Sequence, residues 1–214
     1  EHAKSTVITV NYSTYRIALN PNIRIIVVSK TLIKAREFVY AIKQRLSHPR
    51  WLKLQTTFGP EGGWKEDSDT WRVDTVYLGS DARNSSEKDP TIQALGMGGQ
   101  IYGARDDLII LDDLEDDELV RSEMRRKDLE DWFNGTVIPT LDPATGRIII
   151  IGTILHQDSL LNRIITSYTD FESRKYAALL NDDTPLWPER VTKDFLHKLR
   201  ESFASRHKIP QFFM

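Results

Sequence analysis

Two adjacent carboxylates, Asp112 and Asp113, stand at the end of a short apolar run and are the first candidates for chemistry. The run, Leu108–Leu111, consists of four aliphatic residues and is typical of a buried strand. Ligands of open α/β sheets bind beyond the carboxyl ends of the strands, so the pair has the position of a functional site. There, one acid can hold Mg²⁺ and the next can orient an attacking water.

The acidic character continues past this pair, with six acidic residues among positions 112–118. Acidic side chains suit the positive end of a helix, so a solvated loop or a helix start explains the segment from Glu115 to Glu118. The same region also permits a metal cluster made of Asp112, Asp113 and Glu115, which would be the centre of a metal-dependent nuclease.

A second candidate lies at the N-terminus, where Ala3-Lys4-Ser5-Thr6 matches the end of the phosphate-binding loop G-x-x-x-x-G-K-[ST], with Ala in place of the second Gly. In that motif, backbone N–H groups at a helix N-terminus bind phosphate, the Lys neutralises the β- and γ-phosphates, and the hydroxyl holds Mg²⁺. Lys-Ser pairs also occur without any such role. In addition, Thr6–Val10 favours a strand by propensity, where the motif requires a helix.

A glycine-rich segment precedes the acid-tipped strand. Gly96–Gly103 contains four of the 11 glycines, but it does not spell G-x-G-x-x-G and it precedes a strand, which disfavours a dinucleotide site. Arg105 follows this segment. It is either a surface residue paired with Asp106 or Asp107, or a charge donor to a phosphate.

Another apolar run, Ile148–Ile151, ends in Gly152 and Thr153. If this strand lies beside the acid-tipped strand, Thr153 is placed to sense a γ-phosphate. The alternative is an ordinary strand end followed by a helix whose cap is Asp158 or Ser159.

The elements that must position these residues follow from the periodicity of the apolar side chains. Arg24–Ser29 is a β-branched run that predicts a buried parallel strand, and the pattern of Thr31–Leu46 predicts an amphipathic helix capped by Ser29 or Thr31. The alternation in Trp71–Leu78 predicts a half-exposed strand with antiparallel pairing. Strands alternating with helices indicate an α/β fold with a mainly parallel sheet flanked by helices. Further helices are predicted at about 118–133, from Gln157 onward and at about 193–203.

Composition narrows the classes of protein. The chain has 214 residues, of which 40% are hydrophobic and 28% charged, as in a globular protein of one large domain or one domain plus a small appendage. The absence of Cys excludes thiol nucleophiles, Cys-ligated zinc and iron–sulfur clusters, and the five His form no H-E-x-x-H motif. The apolar runs are far shorter than the roughly 18 residues of a membrane span.

The charge is nearly balanced, with 29 Lys and Arg against 31 Asp and Glu and a net charge of −2. The net charge therefore gives no indication of nucleic-acid binding, and any DNA contact must come from local basic patches. Residues 189–214 contain a mild excess of basic residues, which a solvated helix face explains as well as DNA binding does.

The order of the motifs is more informative than any one of them. A Lys-Ser-Thr segment, an acid-tipped strand and a Gly-Thr-tipped strand follow one another as in an ASCE-type P-loop NTPase. Over nearly its whole length the chain resembles the large terminase subunit of tailed bacteriophages, the DNA-packaging motor. It departs from the family at two positions, with Asp113 where Glu is frequent and Ala3 where Gly is usual. The segments that carry the resemblance are Ala3–Thr6, Asp89–Asp113, Gly152–Asp158 and Leu186–Pro188.

The resemblance implies an ATPase with ATP and Mg²⁺ as cofactors. The segment Ala3–Thr6 would bind the phosphates, and Lys4 would neutralise their charge. Ser5 and Asp112 would hold Mg²⁺ directly or through water, and Asp113 would polarise the attacking water.

Arg105 precedes the acid-tipped strand by a few residues, so we expect it near the opposite, N-terminal edge of the sheet or on a flank, away from its own phosphates. We therefore predict that it completes the ATP site of the neighbouring subunit in a head-to-tail ring of copies of the chain. The resemblance implies one further role. Gly152 and Thr153 would transmit the state of the γ-phosphate to the C-terminal subdomain. The work done would be translocation of double-stranded DNA into a procapsid.

The resemblance also implies a domain organisation and a set of partners. A P-loop ATPase core would cover residues 1–155 and a small helical lid or linker subdomain residues 156–214. The phosphate-binding loop would begin before Glu1, and the nuclease domain, which would add endonuclease activity, would follow Met214. The partners would be double-stranded DNA, the portal protein and the small terminase subunit, with no membrane, in the cytoplasm of an infected bacterial host.

Three alternatives stay open from the residues alone. A helicase-like ATPase core shares the acid-tipped and Thr-tipped strands, but it needs a second RecA-like domain for which 214 residues leave no room. A metal-dependent nuclease built on Asp112 and Asp113 would cleave DNA with Mn²⁺ and without ATP. A non-catalytic scaffold with a degenerate loop would not turn over ATP.

Overall fold

The computed structural model describes residues 3–65, 68, 70–79, 81–84, 86–101 and 105–205. Contacts within the chain divide it into two compact units. The first consists of Glu1–Leu114 and Lys127–Gly152, and the second of Glu115–Arg126 and Thr153–Met214. Sequence periodicity gives no sign that residues 115–126 belong with the C-terminal part of the chain.

The first unit contains a five-stranded sheet. Its strands are β1 (Ile25–Ser29), β2 (Thr75–Val76), β3 (Ile92–Gly96), β4 (Leu108–Asp112) and β5 (Arg147–Ile151). Their order is β2-β3-β1-β4-β5. β3, β1, β4 and β5 run parallel, and β2 pairs antiparallel with β3. The predicted α/β fold with a mainly parallel sheet is confirmed.

The parallel strands end level with one another. Ser29 pairs with Gly96 on one side and with Asp112 on the other, and Asp112 pairs with Ile151. Every residue of β1 and β4 is buried. Central parallel strands are covered on both faces, which is why their sequences are nearly continuous apolar runs. Polar side chains that follow these runs therefore meet at one edge, the carboxyl edge of the sheet.

The segment after Lys4 is helical, so the strand preference inferred for Thr6–Val10 is wrong. A π-helical segment, Thr6–Tyr12, continues into α1, Ser13–Leu19, and the two together form the N-terminal helix. Its buried positions share one face, because they recur at helical spacing. β-Branched residues cost a helix only tenths of a kcal/mol each, roughly, which burial of that face outweighs. The buried residues are Thr9, Val10, Ser13, Thr14 and Ile17.

The predicted amphipathic helix is α2, Leu32–Ser47, and the Thr31 hydroxyl caps it by accepting a hydrogen bond from the Lys34 N–H. Its buried positions repeat every three or four residues and pack over β1 and β3. A short helix, α3 (Leu52–Phe58), follows and has no buried residue. The sequence pattern did not predict α3, because a helix that buries nothing has no apolar stripe.

The helix predicted at about 118–133 is interrupted. It consists of α4 (Asp117–Arg121) and α5 (Glu123–Trp132), and Ser122 between them has an extended backbone. The Ser122 hydroxyl accepts a hydrogen bond from the Arg125 N–H and so starts a new helix. The Asp116 carboxylate caps α4 through the Leu119 N–H. Of the segment 115–118, which was interpreted as a solvated loop or helix start, Asp116, Asp117 and Glu118 form the start of α4 and Glu115 precedes it.

The strand prediction for Trp71–Leu78 holds only in part. Thr75–Val76 forms the ladder with β3, and Trp71 makes an isolated antiparallel bridge to Val76. β3 was not predicted, because Gln93 and the terminal Gly96 interrupt its short apolar pattern. The antiparallel excursion expected in this region is present.

The second unit contains the two predicted C-terminal helices, α6 (Leu160–Ser167) and α7 (Lys193–Ser205). Ser159 rather than Asp158 caps α6, since its hydroxyl accepts a hydrogen bond from the Asn162 N–H. None of the helices in the described ranges is long and apolar enough to cross a membrane.

Candidate functional site

A buried carboxylate is the centre of the site at the carboxyl edge of the sheet. Asp112, the last residue of β4, is fully buried. The Ser5 Oγ donates a hydrogen bond of 2.9 Å to its Oδ1, and the Thr9 Oγ1 donates to its Oδ2. Ser5, the N-cap of the N-terminal helix, and Thr9 in its first part are four residues apart, so they lie about one turn apart on the same face. The helix thus presents two hydroxyls to one carboxylate.

The ammonium group of Lys4 lies at the end of the neighbouring strand. Its Nζ donates a hydrogen bond of 3.0 Å to the carbonyl oxygen of Gly152, which directly follows β5. β5 is the neighbour of β4, with Asp112 level with Ile151. Lys4 and Ser5, which are more than a hundred positions from Asp112 in sequence, are therefore brought together with it within the first unit, beside Gly152.

Burial raises the pKa of the Asp112 carboxyl, because desolvation disfavours its charged form. The hydrogen bonds from Thr9 and Ser5 and the charge of Lys4 oppose this rise, whereas the charge of Asp113 adds to it. A buried carboxylate is stable when a cation or hydrogen-bond donors compensate it. This one has donors on both oxygens.

Two positions beside the site have left-handed backbone conformations. Ala3 has a φ of 55° and Asp113 a φ of 48°. For residues with a Cβ this conformation costs roughly 1–2 kcal/mol, and it is frequent at functional turns. Ala3 occupies the position at which the phosphate-loop motif has Gly, the residue that adopts a positive φ without cost. The Ala in this sequence therefore keeps the backbone conformation of a glycine.

Asp113 and Thr6 are exposed, unlike Asp112. The Asp113 N–H donates a hydrogen bond of 2.9 Å to the Ile151 carbonyl, which extends the ladder between β4 and β5 by one bond. The Asp113 carboxylate is thus held at the tip of β4 in contact with solvent. The two adjacent acids have different environments, as different roles require.

Arg105 lies at the other end of β4. It is exposed and precedes the strand by three residues, so it stands roughly 20 Å from Asp112 along the chain direction. Asp107 pairs with Arg24 at 2.9 Å, and Arg105 forms no ion pair with any residue that the structure describes. The alternative in which Asp106 or Asp107 holds Arg105 is not found.

The predicted coupling residues fall on either side of the boundary between the units. Gly152 is the last residue of the first unit, and Thr153 is the first residue of the second segment of the second unit. Thr153 is half-buried.

Glu115 is engaged within the second unit. Its carboxylate oxygens accept hydrogen bonds from the N–H groups of Leu160, at 2.8 Å, and Leu161, at 3.1 Å, in the first turn of α6. Burial raises the pKa of Glu115, and these two amides oppose the rise. In the parts of the chain that are described, no group of three His, Asp or Glu residues is arranged to hold a metal ion.

Two residues of the site were missed from the sequence. Thr9 was assigned to a strand by propensity, and only its spacing of four from Ser5 signals a shared helix face. Ser29 ends β1 level with Asp112, is buried, and has a hydroxyl without a hydrogen-bond partner among the described residues. Paired residues of adjacent parallel strands project from the same face, so this hydroxyl adds a polar group on the Asp112 side.

No family model matches the chain, and a search of curated proteins gave no match either.

Proposed function

We propose that this chain is the ATP-hydrolysing motor domain of a viral DNA-packaging terminase and couples ATP hydrolysis to translocation of double-stranded DNA. The observation that carries the proposal is the buried Asp112 carboxylate hydrogen-bonded to Ser5, with Lys4 one residue away at the end of the adjacent strand. A hydroxyl, a carboxylate and an ammonium group at the carboxyl edge of a parallel sheet form the donor set for Mg²⁺ and nucleotide phosphates.

The residues present fit a magnesium ion. Mg²⁺ prefers hard oxygen ligands, takes one or two from the protein and keeps several waters. Ser5 and Asp112 supply a hydroxyl and a carboxylate oxygen, and the Ser29 hydroxyl, which has no partner among the described residues, suits a water of such an ion. When bound, Mg²⁺ neutralises charge on the phosphate oxygens.

Lys4 and the start of the N-terminal helix would bind the phosphates. The ammonium group now donates to a neutral carbonyl, and a phosphate oxygen is a stronger, charge-assisted acceptor. The backbone N–H groups of Lys4, Ser5 and Thr6 stand at the start of a helix, where the dipole favours an anion. Ala3 turns the chain into this helix through its left-handed backbone.

Asp113 would orient the attacking water. Its carboxylate is exposed, whereas that of Asp112 is occupied by two hydroxyls. A water-orienting group must reach solvent, as the exposed Asp113 side chain does, and its position directly after Asp112 supports a place beside the proposed phosphate site.

The motor function extends beyond this site. In it, Gly152 and Thr153 transmit the state of the γ-phosphate, a role supported by their position where the chain passes from one unit to the other. Arg105 acts on the ATP site of the next copy in a ring, and the portal protein and small terminase subunit assemble with that ring in the host cytoplasm. The order of the motifs along the chain supports these roles.

The test measures ATP turnover with Mg²⁺ by the purified protein. Lys4→Ala should abolish turnover and leave the circular dichroism spectrum unchanged, whereas the control Lys88→Ala, which removes an exposed lysine, should leave turnover unchanged. Undiminished turnover by Lys4→Ala would contradict the proposal. DNA cleavage with Mn²⁺ in the absence of ATP, lost in Asp113→Asn, would support the nuclease alternative instead.

A further inference from the structure

The charges of this chain are distributed unevenly along the sequence. Residues 3–60 contain ten Lys or Arg and one acidic residue, Glu37, although the whole chain has a net charge of −2. Residues 112–131 have the opposite bias, with ten acidic and four basic residues. The amino-terminal part and this later segment are therefore complementary in charge.

One side of the N-terminal helix exposes large apolar side chains. Val7 is 53% exposed, Tyr15 55% and Leu19 58%. Together with the exposed Asn11 they recur at every fourth position, so they form one stripe along the helix. Apolar side chains exposed singly need no explanation, but a contiguous patch marks an interaction site.

Arg45 joins this stripe to the segment after α2. Its Nε donates a hydrogen bond of 2.8 Å to the Asn11 Oδ1, and its guanidinium lies 5.0 Å from the ring centroid of Trp51. Trp51 is itself exposed. The indole ring therefore extends the exposed stripe sideways, across the Arg45 side chain.

Arg16 adds a second guanidinium on the helix itself. Its Nη1 donates a hydrogen bond of 3.0 Å to the Tyr12 hydroxyl, and the ring centroids of Tyr12 and Tyr15 are 6.3 Å apart. Neither Arg16 nor Arg45 forms an ion pair with a residue in the described ranges. These contacts connect one surface, which we call the aromatic face: Val7, Asn11, Tyr12, Tyr15, Arg16, Leu19, Arg45 and Trp51.

The composition of the aromatic face is typical of the centre of a protein interface. Tyr, Trp and Arg are enriched in such centres and dominate their binding energy, whereas Lys is depleted. The face contains two guanidinium groups and no carboxylate. Since interfaces are complementary in charge, its partner must supply acidic side chains.

The later part of α5 has acidic side chains of this kind. Asp128 and Asp131 are exposed, and their spacing of three residues places them on the same side of the helix. Neither forms an ion pair with a residue that the structure describes. We call this pair the acidic face, and it belongs to the first unit, as the aromatic face does.

We propose that the aromatic face of one copy of the chain binds the acidic face of a second copy. The carboxylates of Asp128 and Asp131 pair with the guanidinium groups of Arg16 and Arg45, and the contact buries the exposed rings. Because the two faces differ, every copy offers both of them, and association continues beyond a pair. The inference deepens the proposed function by assigning the faces through which copies of the chain meet. It does not depend on ATP hydrolysis.

The experiment measures self-association of the chain by sedimentation velocity, without nucleotide. At about 50 mM salt the unaltered protein should form species larger than a dimer, and about 500 mM salt should weaken this association by screening. Arg16→Glu combined with Arg45→Glu should lower the association constant by at least about 10-fold, because like charges then face each other. Asp128→Arg combined with Asp131→Arg should have the same effect.

An exchange of charges tests the pairing itself. The chain with all four substitutions should associate again, since its two faces are once more complementary. The matched control, Lys65→Glu with Lys88→Glu, changes the net charge as the arginine variant does, at exposed positions elsewhere, and should associate like the unaltered protein. Circular dichroism checks folding. If the arginine variant does not fold, Tyr15→Ser with Leu19→Ser, both at exposed positions, should lower the association in its place.

An unaltered chain that stays monomeric at about 100 μM would overturn the proposal, as would association that stops at a dimer. An equal loss of association in the lysine control would show that net charge decides it, and would also overturn the proposal. So would a chain with all four substitutions that does not associate. The expected pattern in a chain without ATP turnover would support the inference and contradict only the proposed function.

Discussion

A buried aspartate lies near each end of β4, Asp112 as its last residue and Asp106 two residues before its first, and the two carboxylates have different hydrogen-bond partners. At the carboxyl end, both oxygens of Asp112 accept hydrogen bonds from side chains that enter from the N-terminal helix. At the other end, Asp106 is 3% exposed and its Oδ2 has no partner in the described part of the chain. Desolvation raises the pKa of both, and that of Asp106 reaches about 7.

The two ends of β4 differ in the contacts that their polar groups make. The amino end is closed by backbone bonds of Asp106 to Thr140 and Asp142, and by the pairing of Arg24 with Asp107. These contacts join the starts of β1 and β4 to the segment before β5. The carboxyl end has polar groups that still have capacity for a cation and an anion, namely Lys4, Ser5, Ser29 and Asp112.

The largest effect is expected from a substitution of Arg105, at the amino end of β4. A loss of activity there would give the amino end a catalytic role, exerted in another subunit. Arg105 is exposed, far from Asp112 and without an ion-pair partner among the described residues. If the chain hydrolyses ATP in the proposed head-to-tail ring, Arg105 would reach the ATP site of the next copy rather than its own. Arg105→Ala should lower kcat by about 10³-fold or more, the size of an arginine-finger effect.

The measurement mixes two inactive variants, Arg105→Ala and Lys4→Ala. Recovery of ATP turnover in the mixture supports action across the subunit boundary. Full turnover by Arg105→Ala alone would show that the amino end takes no part in catalysis.

A smaller effect is expected from the two acids at the carboxyl end. Asp113→Asn should keep nucleotide binding and lower kcat on the order of 10²-fold, since it removes the water-orienting carboxylate. Asp112→Asn should weaken Mg²⁺-dependent nucleotide binding itself. Nucleotide titrations and single-turnover rates check both variants, and a loss of binding alone in each would refute the division of roles.

Thr9 tests the difference between the two buried aspartates. Its hydroxyl donates to Asp112, whereas Asp106 has no such hydroxyl donor among the described residues. Thr9→Val keeps the shape and removes the donor to Asp112, so the Mg²⁺ concentration for half-maximal turnover should rise roughly 10- to 100-fold, as for lost partners of metal ligands. Thr9→Ser restores a hydroxyl and should recover most of the affinity. An unchanged Mg²⁺ requirement in Thr9→Val would mean that the contact is only structural.

The smallest effect on activity is expected at Asp106, where the measurement is stability. Its folded pKa of about 7 exceeds the ordinary value of 3.8, so the folded state holds a proton that the unfolded state releases. Stability therefore falls as pH rises from about 4 to about 7 and levels off above. The charged groups that face this carboxyl are Arg24, Asp89 and Asp107.

Asp106→Asn removes this titration. Between about pH 5 and about pH 8 it should lose less unfolding free energy than the unaltered protein, by about 2–3 kcal/mol, with turnover unchanged. Urea denaturation at the two pH values measures the difference. If the unfolding free energies of the two proteins change equally with pH, a group other than Asp106 causes the pH dependence.

Local patterns predicted the elements whose sequence records their burial. β1, β4 and β5 are apolar runs, α2 and α6 have apolar positions at helical spacing, and the acid pair follows directly from the end of β4. Periodicity suffices there because the side chains on one face of a strand or helix recur at a fixed spacing along the sequence. Elements with weak patterns, β3 and the unburied α3, were missed for the same reason.

The site itself was decided by tertiary structure. Ser5 and Asp112 are 107 positions apart, and no local preference reports their contact. Burial of one face in the hydrophobic core, beside α2, made the β-branched segment Thr6–Val10 helical against its propensity, and that helix brings Thr9 onto Asp112. The buried Asp106 and the union of residues 115–126 with the C-terminal unit are likewise non-local. The sequence by itself determined which residue types stand at strand ends, and packing alone determined which of them meet.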